Sequence, residues 1–516
     1  MNIKHLKAKI LDLAIRGKLV PQAPSEGNAA DLLKKIREEK SILIEQKKIK
    51  AEKNSSFIIK ADDGRHYEQF ADGSLIDIED DIPFDIPENW CWCRLPELCT
   101  IPITDGTHQT PTYSDKENGI PFLSSKDVTN QIIDWSNIKY ITKELHEELY
   151  KRVAPQKGDV LLAKNGTTGV AALVEDDRIF DIYVTLAVLR PNKTFVSPRY
   201  LLWTINSPVC KEQFNAHLLG IGVPNLHLYE INKTLIPLPP LSEQQRIVSA
   251  IEKAFEQIDI IEKNKLNLKI YIKQTKSKVL DLAIHGKLVK QNPSEGNPYE
   301  LLGKIRKEKN ELIKQKKLKE DKKSSFIFKA ENGKHYEHFA DGTLKDIEDE
   351  IPFEIPENWC WCRLPEISNS ILAGGDRPTI CTKEKTSENN IPIYANAVDK
   401  EGLYGFTNKP QVTEKAITIS ARGTIGFTCI REEPFVPIVR LIVLVPNLTI
   451  IQLKYLKSTF DTLLNMTEGS SIPQLTIPSI KTFLFSLPPI EEQKRIIERI
   501  EQIFEQLDIL EKSLGE

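Results

Sequence analysis

Two stretches of this chain set a polar or basic side chain among closely spaced glycines, directly after an apolar run. Asp159-Val160-Leu161-Leu162-Ala163 leads into Lys164-Asn165-Gly166-Thr167-Thr168-Gly169, and Ala416-Ile417-Thr418-Ile419-Ser420 leads into Ala421-Arg422-Gly423-Thr424-Ile425-Gly426. A strand that turns through glycines leaves backbone N–H groups uncovered, so such a loop can approach a phosphate or a base edge closely. The chemistry on offer is recognition: Arg pairs with guanine, and Asn or Gln with adenine. A plain turn accounts for the same residues, and both readings stay open at this point. No Gly-Lys-Ser/Thr follows, so neither loop is a nucleotide-binding P-loop.

Two more pairs of loops carry similar side chains. Thr104-Asp105-Gly106-Thr107-His108 and Gly374-Gly375-Asp376-Arg377 are turn-rich, and the segments 220–225 and 469–474 each end with Pro before an amide residue. The candidate DNA-contacting residues are thus Thr107, His108, Lys164, Asn165, Thr167, Thr168 and Asn225, with Arg377, Arg422, Thr424 and Gln474 in the second half. Cys91 and Cys93, with Cys360 and Cys362, look like half of a zinc site, but no second Cys or His pair stands at ligand spacing. They alternate with Trp90, Trp92 and Arg94 as on a strand, so thiols packed on one face are the expectation. His335 and His338 fail as a metal pair, because the other copy of this segment has Gln69 opposite His338. No metal, cofactor or catalytic group is assigned.

The elements that must hold these loops are written twice. Residues 11–97 return as residues 280–366 without a gap, and Leu238-Pro239-Pro240-Leu241-Ser242-Glu243-Gln244-Gln245-Arg246-Ile247 returns as Leu487-Pro488-Pro489-Ile490-Glu491-Glu492-Gln493-Lys494-Arg495-Ile496. Between these blocks, residues 98–236 and 367–485 share almost nothing. Two near-identical frames each carry a different insert, which suits a scaffold with two reading heads better than a single active site.

From Ser242 to His285 the apolar positions step by four and three, through Ile247, Ile251, Ile258 and Ile261, as in a coiled coil, and Gly286 is the stop. About 44 residues at 1.5 Å each make a rod of roughly 66 Å. The matching seam is split between the chain ends: Ile496, Ile500, Ile503, Leu507 and Leu510 on one side, Ile3, Leu6, Ile10 and Leu13 on the other. Helices 491–514 and 2–16 are therefore expected nearly end to end, antiparallel to helix 242–285, with a pseudo-twofold axis between the halves. Unrelated amphipathic helices on two globular cores are the alternative. Charged helices are expected near residues 30–53 and 299–323, hairpins at Asp63-Gly64 and Asn332-Gly333, and insert helices at 142–153, 197–217 and 449–466. The fold class is α+β. The predicted domains are an N-terminal frame (1–81), a first insert domain (82–240), a central frame (241–350), a second insert domain (351–489) and a C-terminal helix (490–516).

At 516 residues and net charge −3, the chain has the size for several cores and no basic footprint. If it binds DNA, local patches or partner subunits must supply the phosphate attraction. No apolar run approaches the ~18–20 residues that cross a bilayer, no secretory signal is visible, and the eight cysteines read as reduced thiols. A cytoplasmic location is expected.

The duplicated frame, the Leu-Pro-Pro-Leu-Ser-Glu-Gln-Gln-Arg-Ile lead into a coiled-coil helix, and the stretch from Gly158 to Gly169 resemble the DNA specificity subunit of type I restriction-modification enzymes. Thr104–His108 resembles a loop common in the target recognition domains of that family. The resemblance covers nearly the whole chain. It implies two target recognition domains, each reading one half of a bipartite, gapped double-stranded DNA site. It also implies that the long helices act as a ruler and dock two methyltransferase subunits, with the seam residues as the docking element. Two restriction (translocase-nuclease) subunits complete the complex. S-adenosylmethionine, ATP and Mg then belong to the partners, and this chain is not an enzyme. No glycine-rich cofactor loop or Asn-Pro-Pro-Tyr-like methylase motif stands against that. A stand-alone DNA-binding scaffold or orphan regulator without modification partners is the alternative, and an enzyme fused to two recognition domains a more distant one.

Overall fold

The computed structural model describes residues 3–49, 56–216, 225–316, 324–466 and 475–515. They form two compact units, Met1–Asn264 and Lys265–Glu516, whose boundary lies within the helix Leu241–Ile284. In the first unit the helix Ile3–Ile15 runs antiparallel to the start of that long helix: Lys7 Nζ lies 2.6 Å from Asp259, and past the short helix Gln22 reaches Glu243. Leu11 and Ala14 pack on Ile247, Ile251 and Ile258, with Ile3, Leu6 and Ile10 half-buried beside them. The expected seam member Ile261 is instead 48% exposed. A 13-residue partner helix offers only about 20 Å of length, so its surface ends near Ile258. Leu11, Ala14 and Ile15 are the residues it buries, the broad stripe of a globular helix rather than a strict coiled-coil seam.

The second unit repeats the arrangement with the helix Ile490–Ser513, where Lys276 Nζ sits 2.5 Å from Asp508. Ile496 and Ile500 share a core with Val279 and Ala283, and Ile503 packs at its edge. Leu507 is half-buried and Leu510 is 49% exposed.

The repeated Glu-Gln-x-Arg at the start of each long helix ties three parts of each unit together. Glu243 accepts from Gln22 Nε2 (2.8 Å) and Trp90 Nε1 (3.0 Å). Gln244 accepts from Ser197 N (2.8 Å) and donates to the carbonyls of Phe195 (3.2 Å) and Pro239 (3.0 Å). Arg246 forks onto Glu26 (2.9 and 2.7 Å) and donates to the Pro21 carbonyl. In the second unit Gln493 accepts from Gln452 N (2.7 Å) and donates to the carbonyls of Ile450 and Pro488 (both 2.9 Å), while Arg495 forks onto Glu295 (3.0 and 2.8 Å). Both glutamines are fully buried. An amide with this many bonds in a dry site fixes direction as well as contact.

Each insert starts and ends on one two-stranded antiparallel ribbon. Cys91–Arg94 pairs with Leu235–Leu238 (Cys91↔Leu238, Cys93↔Ile236), and Cys360–Arg363 pairs with Leu484–Leu487. The alternation is as expected: Cys93 and Leu95 face the insert core, while Trp92 faces Ile58, Ile78 and Phe84 of the frame. Burial pushes the Cys91 thiol up to about 11 and the Cys93 thiol well above its ordinary range. The frame hairpin gains an unexpected third strand, so Ser56–Lys60, His66–Phe70 and Leu75–Asp77 form one antiparallel sheet.

The inserts, almost unrelated in sequence, share one topology. The first orders its main sheet Thr104–Asp105, Leu186–Leu189, Val160–Ala163, Ala171–Leu173. The second orders Ser368–Ala373, Ile442–Pro446, Ala416–Ile419, Thr428–Arg431. In each, a smaller sheet holds one parallel pair: Asp181–Ile182 beside Ile120–Leu123, and Val436–Pro437 beside Ile391–Tyr394. Strands Val160–Ala163 and Ala416–Ile419 are buried throughout. Such positions require apolar bulk rather than particular residues, and the shared fold therefore left little shared sequence. The helix expected over 197–217 is two, Pro198–Ile205 and Pro208–Ala216, because Pro208 cannot continue the first.

Helices Ala29–Glu45 and Pro298–Lys314 each lay an arginine against a buried glutamate: Arg37 Nε is 2.5 Å from Glu97, and Arg306 Nε is 4.0 Å from Glu366. The looser contact compensates less, and burial pushes the Glu366 carboxyl up to about 7. Its neutral form is thus favoured by folding, a contribution complete below pH 4.5 and lost as pH rises through about 7. Glu366→Gln is expected to gain on the wild type across that window, by on the order of 3 kcal/mol at pH 8, in pH-dependent urea unfolding. Parallel pH profiles for the two proteins would refute this. Gln493→Ala removes the partner of two buried carbonyls and one half-buried N–H and is expected to destabilise the second unit by about 2 kcal/mol or more, read from the same unfolding curves.

Candidate nucleic-acid interface

The glycine loops of the two inserts have one backbone structure. In the first, Ala163 N bonds Val170 O (2.8 Å), Gly169 N bonds Ala163 O (2.9 Å) and Val170 N bonds Thr167 O (3.1 Å). In the second, Ser420 N bonds Phe427 O (2.9 Å), Gly426 N bonds Ser420 O (2.9 Å) and Phe427 N bonds Thr424 O (3.3 Å). Gly166 and Gly169 (φ +75° and +80°) match Gly423 and Gly426 (φ +70° and +86°), left-handed positions that glycine fills without strain. Asn165 therefore corresponds to Arg422, and Lys164 to Ala421.

Lys164 does not stand at the surface. It is 6% exposed, with Nζ 2.5 Å from Asp105 Oδ2. The other carboxylate oxygen of Asp105 lies 3.2 Å from His108 Nε2 and 3.3 Å from Arg152 Nη2. One buried carboxylate thus anchors a buried lysine and orients two exposed side chains, an imidazole and a guanidinium. Thr107 is buried and caps its own turn by accepting from Gln109 N, and Thr167 donates to the Ser125 carbonyl at 2.9 Å. Thr168 is half-buried, its hydroxyl 3.5 Å from the Lys164 carbonyl. His108 and Asn225 are outward, and Asn165, half-buried, pairs its backbone with Asn225. The first-domain candidates thus divide into a supporting layer (Thr107, Lys164, Thr167, Thr168) and a presenting layer (His108, Asn165, Asn225).

In the second domain Arg377, Arg422 and Thr424 are all exposed. A hydrogen bond with the Tyr404 hydroxyl holds the Arg377 guanidinium protonated still more firmly than usual. Gln474 lies outside the described residues. The loop backbones are set by close approach: a Cβ on Gly106 would lie 2.0 Å from the Ile182 carbonyl oxygen, and one on Gly374 2.7 Å from Ile438 N. Sequence reasoning left out Asp105 and Arg152, and also the turn Val439-Arg440 beside the Gly374 loop, where Arg440 N bonds Gly374 O (3.0 Å). Asp105 carried a signal in its motif; Val439-Arg440 reads as the start of a strand and carried none.

Residues 87–270 and 356–516 match the family model described as the type I restriction modification DNA specificity domain. The chain belongs to this family. Its members are the specificity subunits of their systems, the recognition and not the catalytic components. It is 25% identical to the type I restriction enzyme EcoEI specificity subunit of Escherichia coli, over 99% of this chain and 91% of that protein. Identity to the EcoAI specificity subunit is 27%, over 71% of this chain and 63% of that protein. Among solved structures, the HsdS subunit from Thermoanaerobacter tengcongensis aligns with a TM-score of 0.51 at 20% identity, covering 84% of this chain and 93% of that one. A structure described as the basis of complex assembly and conformational transition of the type I R-M system gives 0.53 at 19% identity, covering 84% and 94%. At these identities the structures share the fold. No described helix is long and apolar enough to cross a membrane.

Asp105→Asn removes the carboxylate paired with the buried Lys164 and is expected to cost about 3 kcal/mol. Adding Lys164→Met should restore a substantial part of it. A double mutant no more stable than Asp105→Asn, by urea unfolding, would show that the pair is not coupled.

Proposed function

We propose that this specificity subunit reads an asymmetric, bipartite, gapped DNA site, each insert domain taking one half. The reading is carried by one observation: the same domain topology occurs twice on near-identical frames, with different side chains at equivalent loop positions. Equal frames supply equal docking geometry, and unequal tips supply unequal half-sites. The long helices set the spacing between half-sites and dock two methyltransferase subunits, with two restriction subunits completing the assembly. Exposed apolar side chains support docking on these helices: Ile260 and Ile261 in the first unit, and Leu266, Ile270, Tyr271 and Ile509 in the second. S-adenosylmethionine, ATP and Mg are bound by those partners, which act with this chain in the cytoplasm. Partner surfaces enclosing the duplex also offset a chain charge of only −3.

The test is to express the chain with its methyltransferase partner and map methylated adenines across the host genome. A gapped motif with unlike halves is expected. Exchanging residues 98–236 for another recognition domain should change one half and spare the other. A continuous or palindromic motif would overturn the reading.

A further inference from the structure

The second domain stores backbone strain where the first does not. Val439 and Arg440 lie at φ +54° and +58°, and both are exposed. A β-branched residue in this region is an outlier that costs energy and persists only where its surroundings impose it. The topology does not impose it. In the first domain the corresponding turn, Val184-Thr185, shares two of its bonds (Val184 N to Thr107 O as Val439 N to Gly375 O, Leu186 N to Tyr183 O as Leu441 N to Ile438 O) with neither residue left-handed.

What holds the strained turn is specific to the second domain. Asn396 Nδ2 donates to the Val439 carbonyl at 2.6 Å, and Asn396 Oδ1 accepts from Ala421 N at 2.8 Å. One side-chain amide therefore ties the residue before Arg440 to the residue before Arg422. The arginines themselves are set apart by what they lack. The second unit's other arginines meet a carboxylate, a side-chain oxygen or a ring, such as Arg363 on Glu337, Arg431 over Tyr394 and Arg495 on Glu295. Arg422 and Arg440 have no such partner among the described residues, and both are exposed. At the same two positions the first domain carries the neutral Asn165 and Thr185.

We propose that Arg422 and Arg440 form a guanine-reading element of the second domain, with Asn396 as the positioning residue that aims both. The proposal rests on the DNA-reading function argued above. A guanidinium fork matches the O6 and N7 acceptors of guanine in the major groove. Phosphate contacts need charge but tolerate a flexible arm, whereas base readout needs a fixed direction, which a braced and strained turn supplies.

The experiment uses the full chain co-expressed with its methyltransferase partner, with methylated adenines mapped genome-wide. The exchange of residues 98–236 identifies which half-site belongs to the second domain. Arg422→Ala and Arg440→Ala are each expected to relax a guanine in that half-site, lowering the preference for it roughly ten-fold or more, with the other half unchanged. Arg440→Lys should not restore the preference, because an ammonium lacks the fork. Asn396→Asp keeps the acceptor for Ala421 N and loses the donor to Val439, so it should relax the Arg440 position alone. Should that variant unfold, the two exposed arginine changes still decide the matter. Methylation that falls evenly over all sites, with the motif intact, would identify phosphate contacts and overturn the proposal, as would a half-site without guanine. If the unaltered chain yields no gapped motif, the functional reading fails and this proposal fails with it.

Discussion

The buried glutamine at the start of each long helix is the contact on which the rest of each unit depends. Gln244 and Gln493 each bind the backbone that leads into an insert helix and the proline turn before their own helix. The arginine two residues on forks to a glutamate in the loop that follows the frame's other helical segment. A hydrophobic seam alone would tolerate sliding by a turn, since one apolar residue resembles another. A buried amide with three bonds does not, because any shift leaves dry polar groups unpaired. The repeated motif therefore sets the angle at which each recognition domain leaves its helix.

Much of this was legible in the residues. Period and caps placed the long helix within one residue of its ends, and the cysteine–tryptophan alternation placed the first strand of the ribbon, though not its partner Leu235–Leu238. The internal repeat marks frame and insert apart in the sequence itself. Illegible were features that depend on partners distant in sequence. Ile261 fits the seam period, but no rule of spacing says where a partner helix stops. Lys164 looks like a phosphate contact until Asp105, in another strand, is seen beneath it. The common topology of the inserts was hidden for a different reason: fully buried strands accept many apolar sequences, so similarity was erased where structure was kept.

The same property explains how two domains can differ in what they present and not in how they present it. The glycine loops keep their hydrogen bonds and left-handed positions in both copies, while the residue at one tip is Asn165 and at the other Arg422. Support and presentation are carried by different residues of the same short segment. Thr107 and Lys164 face inward and carry the shape; their exposed neighbours are left to vary. At the turn beside the Gly374 loop the second copy departs from the first: Val439 and Arg440 are left-handed there, while Val184 and Thr185 are not.

The ribbon cysteines give each unit a clock of its own. A thiol reacts with an alkylating reagent only when it is both ionised and reachable. Cys93 and Cys362 are fully buried, and burial holds both well above their ordinary range. Their labelling rates are then set by how often each ribbon opens, not by surface chemistry. Because each ribbon closes one insert, the two rates report separately on how long each reading head stays attached to its frame.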